Sequence, residues 1–283
     1  MNAIAGRYIN LDRSRERRAH CEAEIHRAGL AGLYARLEAV DGAAARPQHR
    51  DFPLSDGKLG CWLSHLRALE GGLATGHHLH VLEDDFCFTG VFRSFYDRFD
   101  RLTAGLEGWD LIFCDVDLAG LHDVAAMRGL IQRVSRLERE GRITFEDARV
   151  WYAAGNSSYI VNRASLERLR ELMVQGFSSG LPNDLYLRRL IREGRVRAYV
   201  TLPLVTTVSE AFCASTILGD ITSANPSIAF ATLFRRSLAW GADTGALLRD
   251  IRRLLGERPA VGDRGLIYAH LVAHLVSGDF RPY

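Results

Sequence analysis

Lysine is nearly absent from this chain: Lys58 is the only one, and arginine supplies the rest of the positive charge. Lysine and arginine together number 36 against 34 aspartates and glutamates, a formal net charge of +2. That balance gives no support to nucleic acid as a partner. The cysteines, Cys21, Cys61, Cys87, Cys114 and Cys213, are odd in number and include no C-x-x-C pair. A disulfide framework or zinc ribbon is therefore not expected, and these residues read as small core side chains in a reducing compartment. No apolar run approaches membrane-spanning length, and the start, Met1 to Gly6, lacks both the basic region and the apolar stretch of a signal peptide. The expectation is a cytoplasmic protein. Disorder is not indicated either, because 47% hydrophobic and 25% charged residues are ordinary for a globular chain. At 283 residues there is enough chain for one α/β domain, or a domain with a small appendage.

What the chain does have is an acidic triplet between apolar residues, in His78-Leu79-His80-Val81-Leu82-Glu83-Asp84-Asp85-Phe86-Cys87-Phe88. Leu79 to Leu82 reads as a short buried strand, which puts the carboxylates at its C-terminal end. Ligands bind at that edge of an open α/β sheet, so the triplet is well placed to hold a divalent cation against phosphates. The plainer reading is an acidic strand end solvated in a loop.

Around the triplet the elements alternate. Ile4 to Leu11 is a strand, the charged run from Asp12 opens a helix to about Ala28, and Tyr34 to Val40 is a second strand, together one βαβ unit. Ala43 to Asp56 contains Pro47 and Pro53 and reads as a loop. Gly57-Lys58-Leu59-Gly60-Cys61-Trp62-Leu63-Ser64-His65 runs into a helix whose leucines, Leu59, Leu63, Leu66, Leu69 and Leu73, keep helical spacing. Phe92 to Leu102 reads as a helix, Trp109 to Asp115 as a strand, and 120–150 has no clear pattern. Ala153 to Val161 is a strand with a polar centre, followed by a helix from Arg163 to Met173. Another helix ends near Glu193, with Asn183 or Asp184 as its cap. Val196 to Leu202 is the last strand, and the tail reads as helical, including Ala246 to Leu255. Arginines between the apolar residues of that segment fit a helix packed on the sheet or one resting on anionic lipid, a peripheral membrane contact. His270 and His274 lack the intervening glutamate of a zincin helix and are set aside as metal ligands.

Two groups are placed to line a nucleotide cleft: Asn10, Arg13 and Arg17 after the first strand, and Ser64 and His65 at the start of the helix before the triplet. A helical histidine beside an apolar stripe is also commonly just a buried residue.

Several ordered motifs, Ile9-Asn10-Leu11-Asp12-Arg13-Ser14-x-Glu16-Arg17, Ala39-Val40-Asp41-Gly42, Leu59-Gly60-Cys61-x-x-Ser64-His65, Leu82-Glu83-Asp84-Asp85 and Trp109-Asp110, resemble those of glycosyltransferase family 25. That family includes lipooligosaccharide galactosyltransferases and collagen galactosyltransferase domains. A looser likeness continues through Gly155-Asn156-Ser157-Ser158, Pro182-Asn183-Asp184 and Ser215-Thr216-Ile217. The resemblance implies an α/β fold of GT-A type, a nucleotide-sugar-binding sheet flanked by helices over 1–217, with 218–283 a helical C-terminal extension. It further implies a UDP-hexose donor, a hydroxyl-bearing acceptor such as a surface glycan, a Mn²⁺ or Mg²⁺ ion and inversion at the anomeric carbon. By the same resemblance Asp85 ligates the metal, Glu83 supports it, Asp84 reaches toward the ribose, and Asp41 belongs to the donor site. Lys58 stands where the family commonly has an acid, and Asn156 where it has threonine.

An inverting displacement needs a base near the attacking hydroxyl. Asp184 matches the family's downstream aspartate and is the first choice, with Asp115 and Glu210 behind it. Two rival readings remain open. Asp115-Val116-Asp117 after an apolar strand is also the beginning of a haloacid-dehalogenase phosphatase motif, although Leu118 and Ala119 replace the residues expected next. A non-catalytic sugar-nucleotide-binding protein is the other rival.

Overall fold

The computed structural model describes residues 4–118, 124–209, 211, 226–247 and 249–250. Glu210, Cys213, the Ser215-Thr216-Ile217 segment, His270, His274 and most of the expected helix from Ala246 to Leu255 lie outside the described residues.

The first βαβ unit forms as its pattern requires: β1 (Ile4–Asn10), α1 (Arg15–Arg27) and β2 (Tyr34–Glu38), with β2 parallel to β1. Then follow α2 (Gly42–Ala45), α3 (Asp56–Leu73), β3 (His78–Glu83), β4 (Phe86–Phe88), α4 (Phe92–Asp97), α5 (Phe99–Thr103) and β5 (Leu111–Leu118). The second half contributes α6 (Val124–Arg139), β6 (Thr144–Asp147), α7 (Ala148–Trp151), β7 (Tyr152–Val161), α8 (Leu166–Gly176), α9 (Asn183–Arg192), β8 (Ala198–Leu202), β9 (Thr206–Val208) and α10 (Pro226–Ser237).

Seven strands form one mixed sheet in the order β2-β1-β3-β7-β5-β8-β6, and β4 pairs with β9 in a separate two-stranded ribbon. β1 and β3 are parallel, as are β5 and β8, whereas β7 runs antiparallel between β3 and β5. That reversal positions the site, because it brings the N-terminal end of β7 to the same edge as the C-terminal ends of β3 and β5. Side chains alternate across the sheet. Leu79 and Val81 join Leu59, Leu66 and Leu69 of α3 in one core. Leu82 and Ile112 join Phe86, Phe88, Phe92 and Phe95 in the other.

Several expectations change. The single helix expected from Phe92 to Leu102 is two short ones meeting at Arg98. The loop expected from Ala43 to Asp56 contains α2 and a single tight turn, Arg46–Gln48. The unpatterned stretch 120–150 contains α6, whose Met127, Leu130, Val134 and Leu137 are buried at helical spacing among exposed polar residues. β5 runs past Asp115 to Leu118, so Asp115 and Asp117 lie inside a strand and not beyond its end. A further short strand, β9, follows the one expected to be last. Pro182 occupies the cap position of α9, so Asn183 and Asp184 belong to its first turn. Neither is the cap residue, although Asp184 still accepts a first-turn N–H, that of Leu185.

Candidate functional site

Two glycines create the cleft beside the triplet. A β-carbon on Gly42 would lie 1.7 Å from the Asp56 carbonyl oxygen, and one on Gly60 would lie 2.6 Å from the Val40 carbonyl oxygen. The starts of α2 and α3 therefore meet backbone to backbone, which only glycine allows. Ser64 ties the junction: its hydroxyl donates to the Gly60 carbonyl (2.6 Å) and accepts from the Val40 N–H (2.8 Å). Its side chain is buried and its hydrogen bonds are spent on the scaffold. A cleft of about 290 Å³ results, lined by Arg13, Asp41, Cys61, Ser64, His65, Glu83 and Asp84 among others.

The three carboxylates of the triplet differ in their partners. Asp84 is held on both oxygens, by Asn10 Nδ2 (2.7 Å) and by Arg17 (2.8 Å). Glu83 Oε1 lies 3.3 Å from His65 Nε2, and His65 Nδ1 lies 2.9 Å from the Tyr159 hydroxyl. Burial opposes the charge on Glu83, but the His65 hydrogen bond and nearby positive charge leave its carboxyl below the usual range. Asp85 goes the other way. Burial, reinforced by the charge of Glu83, pushes it up to about 7. Arg17 approaches Asp85 Oδ2 only to 3.8 Å, and among the described residues Asp85 Oδ1 is buried with no hydrogen-bond partner.

At the rim, Arg13 pairs with Asp41, whose carboxylate also caps α2 through the Ala43 N–H. The Arg13 hydrogen bond is the main reason that Asp41 sits below the ordinary carboxylate range. At the start of α9, Asp184 accepts from the Gly155 N–H of β7 (3.0 Å) and from the Leu185 N–H (2.8 Å). Its charge and that of Glu83 both act on the half-buried Cys61 thiol, which desolvation pushes well above its ordinary value. Thus Asn10, Arg13, Arg17, Asp41, Ser64, His65, Glu83, Asp84, Asp85 and Asp184 all gather at one sheet edge, with Arg13 and Asp41 the most exposed.

The site also contains a residue that no motif announces. Arg235 of α10 embraces both oxygens of Asp115 through Nε and Nη2, also contacts the Ser157 hydroxyl, and reaches Asp117 Oδ1 at 3.4 Å. Burial raises Asp115 despite Arg235. A carboxylate enclosed in this way is a poor nucleophile and a poor base, so Asp115 fits neither the phosphatase reading nor the role of proton acceptor. In sequence Arg235 is one arginine among many, and the signal is only its place 120 residues beyond its partner.

The donor set suits a hard divalent cation. Such ions take carboxylate oxygens, and Asp85 Oδ1, a buried oxygen without a partner among the described residues, beside a second carboxylate fits that role. Glu83 and Asp85 would hold the ion. Asp84, already engaged by Asn10 and Arg17, is less suited.

Among the described residues no helix is long and apolar enough to cross a membrane. No curated protein matches this chain. The looser likeness read around Gly155 and Asp184 lies outside the matched span, but the ordered motifs from Asn10 to Asp110 lie within it: residues 7–112 match the model of glycosyltransferase family 25 (LPS biosynthesis protein).

Proposed function

We propose that the protein is a metal-dependent, inverting glycosyltransferase that moves a hexose from a UDP-sugar to a hydroxyl acceptor on a glycan or other glycoconjugate. The observation that carries this reading is Asp85 Oδ1, unpartnered among the described residues and close to Glu83, which with Asp84 lines a cleft built by the motifs of residues 7–112. We take the sheet as GT-A type, with 1–217 as the transferase unit and 218–283 as an extension packed on it. The reach of Arg235 into β5 supports that packing.

A bound Mn²⁺ or Mg²⁺ supplies positive charge against the diphosphate as it leaves. The chain's own residues do the rest. Asn10 and Arg17 fix Asp84 so that it faces the cleft in one orientation, where a ribose hydroxyl can meet it. Arg13 at the rim is the exposed cation available to the donor phosphates. His65, braced by Tyr159, orients Glu83. Asp184 accepts two backbone N–H groups, which fixes its carboxylate, and its remaining lone pairs are open to the proton of the attacking hydroxyl.

The test is hydrolysis and transfer from UDP-hexoses by the wild type with and without Mn²⁺. Metal-stimulated release of UDP is expected. Absence of release with every UDP-hexose and metal, while UDP still binds, would favour a sugar-nucleotide-binding protein instead.

A further inference from the structure

On the wall of the cleft, Cys61 and His65 stand one turn apart on the same face of α3, and β3 brings Glu83 against them. A sulfur, a ring nitrogen and a carboxylate oxygen from these three residues lie within 4.8 Å of one another. We infer that Cys61, His65 and Glu83 form a binding site for one soft divalent cation of the Zn²⁺ class, separate from the hard-cation position at Asp85.

The donor set is the first reason. Thiolate and imidazole select zinc-like ions, whereas manganese and magnesium favour all-oxygen sites. The spacing is the second. Around a tetrahedral zinc with bonds of about 2.0–2.3 Å, ligand atoms stand roughly 3.3–3.8 Å apart. His65 Nε2 and Glu83 Oε1 are already at 3.3 Å, and Cys61 Sγ needs only a small inward shift. The supporting groups are the third. Tyr159, at 2.9 Å from Nδ1, can accept from that nitrogen and leave Nε2 as the ligand. Cys61 Sγ contacts Asn183 Oδ1 at 3.7 Å, and among the described residues the Nδ2 of the same amide is buried without a partner. A rotation of that amide offers a donor to the thiolate in exchange for the bond that Oδ1 accepts from the Asp184 N–H. All three residues line the cleft, which gives the ion access and leaves its fourth position to water. The thiol proton departs as the ion binds. Glu83 belongs to both donor sets, so the two occupancies weaken each other.

The experiment is a Co²⁺ titration of the reduced, metal-free full-length chain followed by optical absorption, with Zn²⁺ as competitor. It reads binding alone, so its failure leaves the glycosyltransferase reading untouched, and the failure of that reading leaves this site standing. We expect a thiolate-to-cobalt charge-transfer band and strong visible bands of four-coordinate cobalt, saturating at one ion per chain and bleached by Zn²⁺. Cys61→Ser should abolish the charge-transfer band. It should also weaken Zn²⁺ by at least about 100-fold, since loss of a supporting contact alone costs about 10–100-fold. Glu83→Gln, a near-isosteric second variant, should weaken Zn²⁺ by at least about tenfold. Asp85→Ala should retain the band. Absence of the band in the wild type, its persistence in Cys61→Ser, unchanged Zn²⁺ affinity in Glu83→Gln, or its loss from a folded Asp85→Ala protein would overturn the site.

Discussion

Two aspartates near Asp85 are each held by an arginine, and they differ in nearly everything else. Asp84 and Arg17 keep 14% and 12% of their side chains exposed, Asp84 lines the cleft, and Asn10 shares in holding it. Asp115, in the middle of β5, and Arg235, on α10, keep 2% and 10% and join parts of the chain that are far apart in sequence. Identical chemistry therefore serves two ends. The first pair shapes a surface that a ligand can reach. The second pins α10 to the sheet, and its charges cancel where solvent cannot help. Asp85 lies under the influence of both arginines, yet among the described residues one of its oxygens has no partner. That is the position where an added cation has most to offer.

With Asp115 held by Arg235, Asp184 is the base in the proposed mechanism, and its substitution has the largest expected effect. Asp184→Asn should lower transfer by about 10²–10⁴-fold while UDP binding persists. Because the side chain accepts from two N–H groups, the amide must turn its NH₂ toward one of them, at about 1–3 kcal/mol. Kinetics should therefore be measured beside a melting curve. Near-normal transfer by a folded variant would return the residue to a structural role.

Next is the buried pair. Arg235→Met leaves the Asp115 charge uncompensated and should cost about 3–5 kcal/mol in denaturant unfolding. The pH dependence has a definite sign. Without Arg235 the folded Asp115 carboxyl, already raised by burial, rises further above its unfolded value. It then stays protonated in acid, and the folded state loses stability as pH climbs through the raised value. The defect should be larger at pH 8 than at pH 5. Adding Asp115→Leu should recover most of the loss, because a buried pair replaced by apolar groups is often neutral. No recovery would mean that the pair contributes more than charge cancellation.

Arg17→Ala should be milder, about 1–2 kcal/mol, since it removes one charged hydrogen bond and Asn10 still holds Asp84. UDP affinity should fall with it. A stability loss equal to that of Arg235→Met would erase the distinction between the two pairs. The smallest effect is expected at the rim. Arg13→Ala breaks an exposed pair with Asp41 and should leave the melting temperature unchanged. UDP should bind more weakly, with a reduced salt dependence in calorimetric titration.

Much of the cleft was legible because its causes are local. Gly42, Gly60 and Ser64 stand in short motifs and meet backbone of those same motifs, and Glu83-Asp84-Asp85 follows a strand of unmistakable pattern. The parallel βαβ unit was readable for the same reason. The antiparallel insertion of β7 was not, since direction in a sheet depends on which strands become neighbours and leaves no periodic trace. Arg235 was invisible because its meaning lies in a partner on β5. Asp184 was legible as a residue of interest, but Pro182 took the cap position that its residue type suggested. α6 was missed because Met127, Leu130, Val134 and Leu137 are separated by charged residues that disguise a well-formed apolar stripe.

The most direct test concerns Asp85. UDP should be titrated calorimetrically into the wild type and into Asp85→Ala, each with and without Mn²⁺, after circular dichroism has established that both are folded. We expect Mn²⁺ to strengthen UDP binding to the wild type and to have no effect on the variant. Equal Mn²⁺-dependent affinity for UDP in a folded Asp85→Ala protein would contradict the assignment of the metal to the triplet.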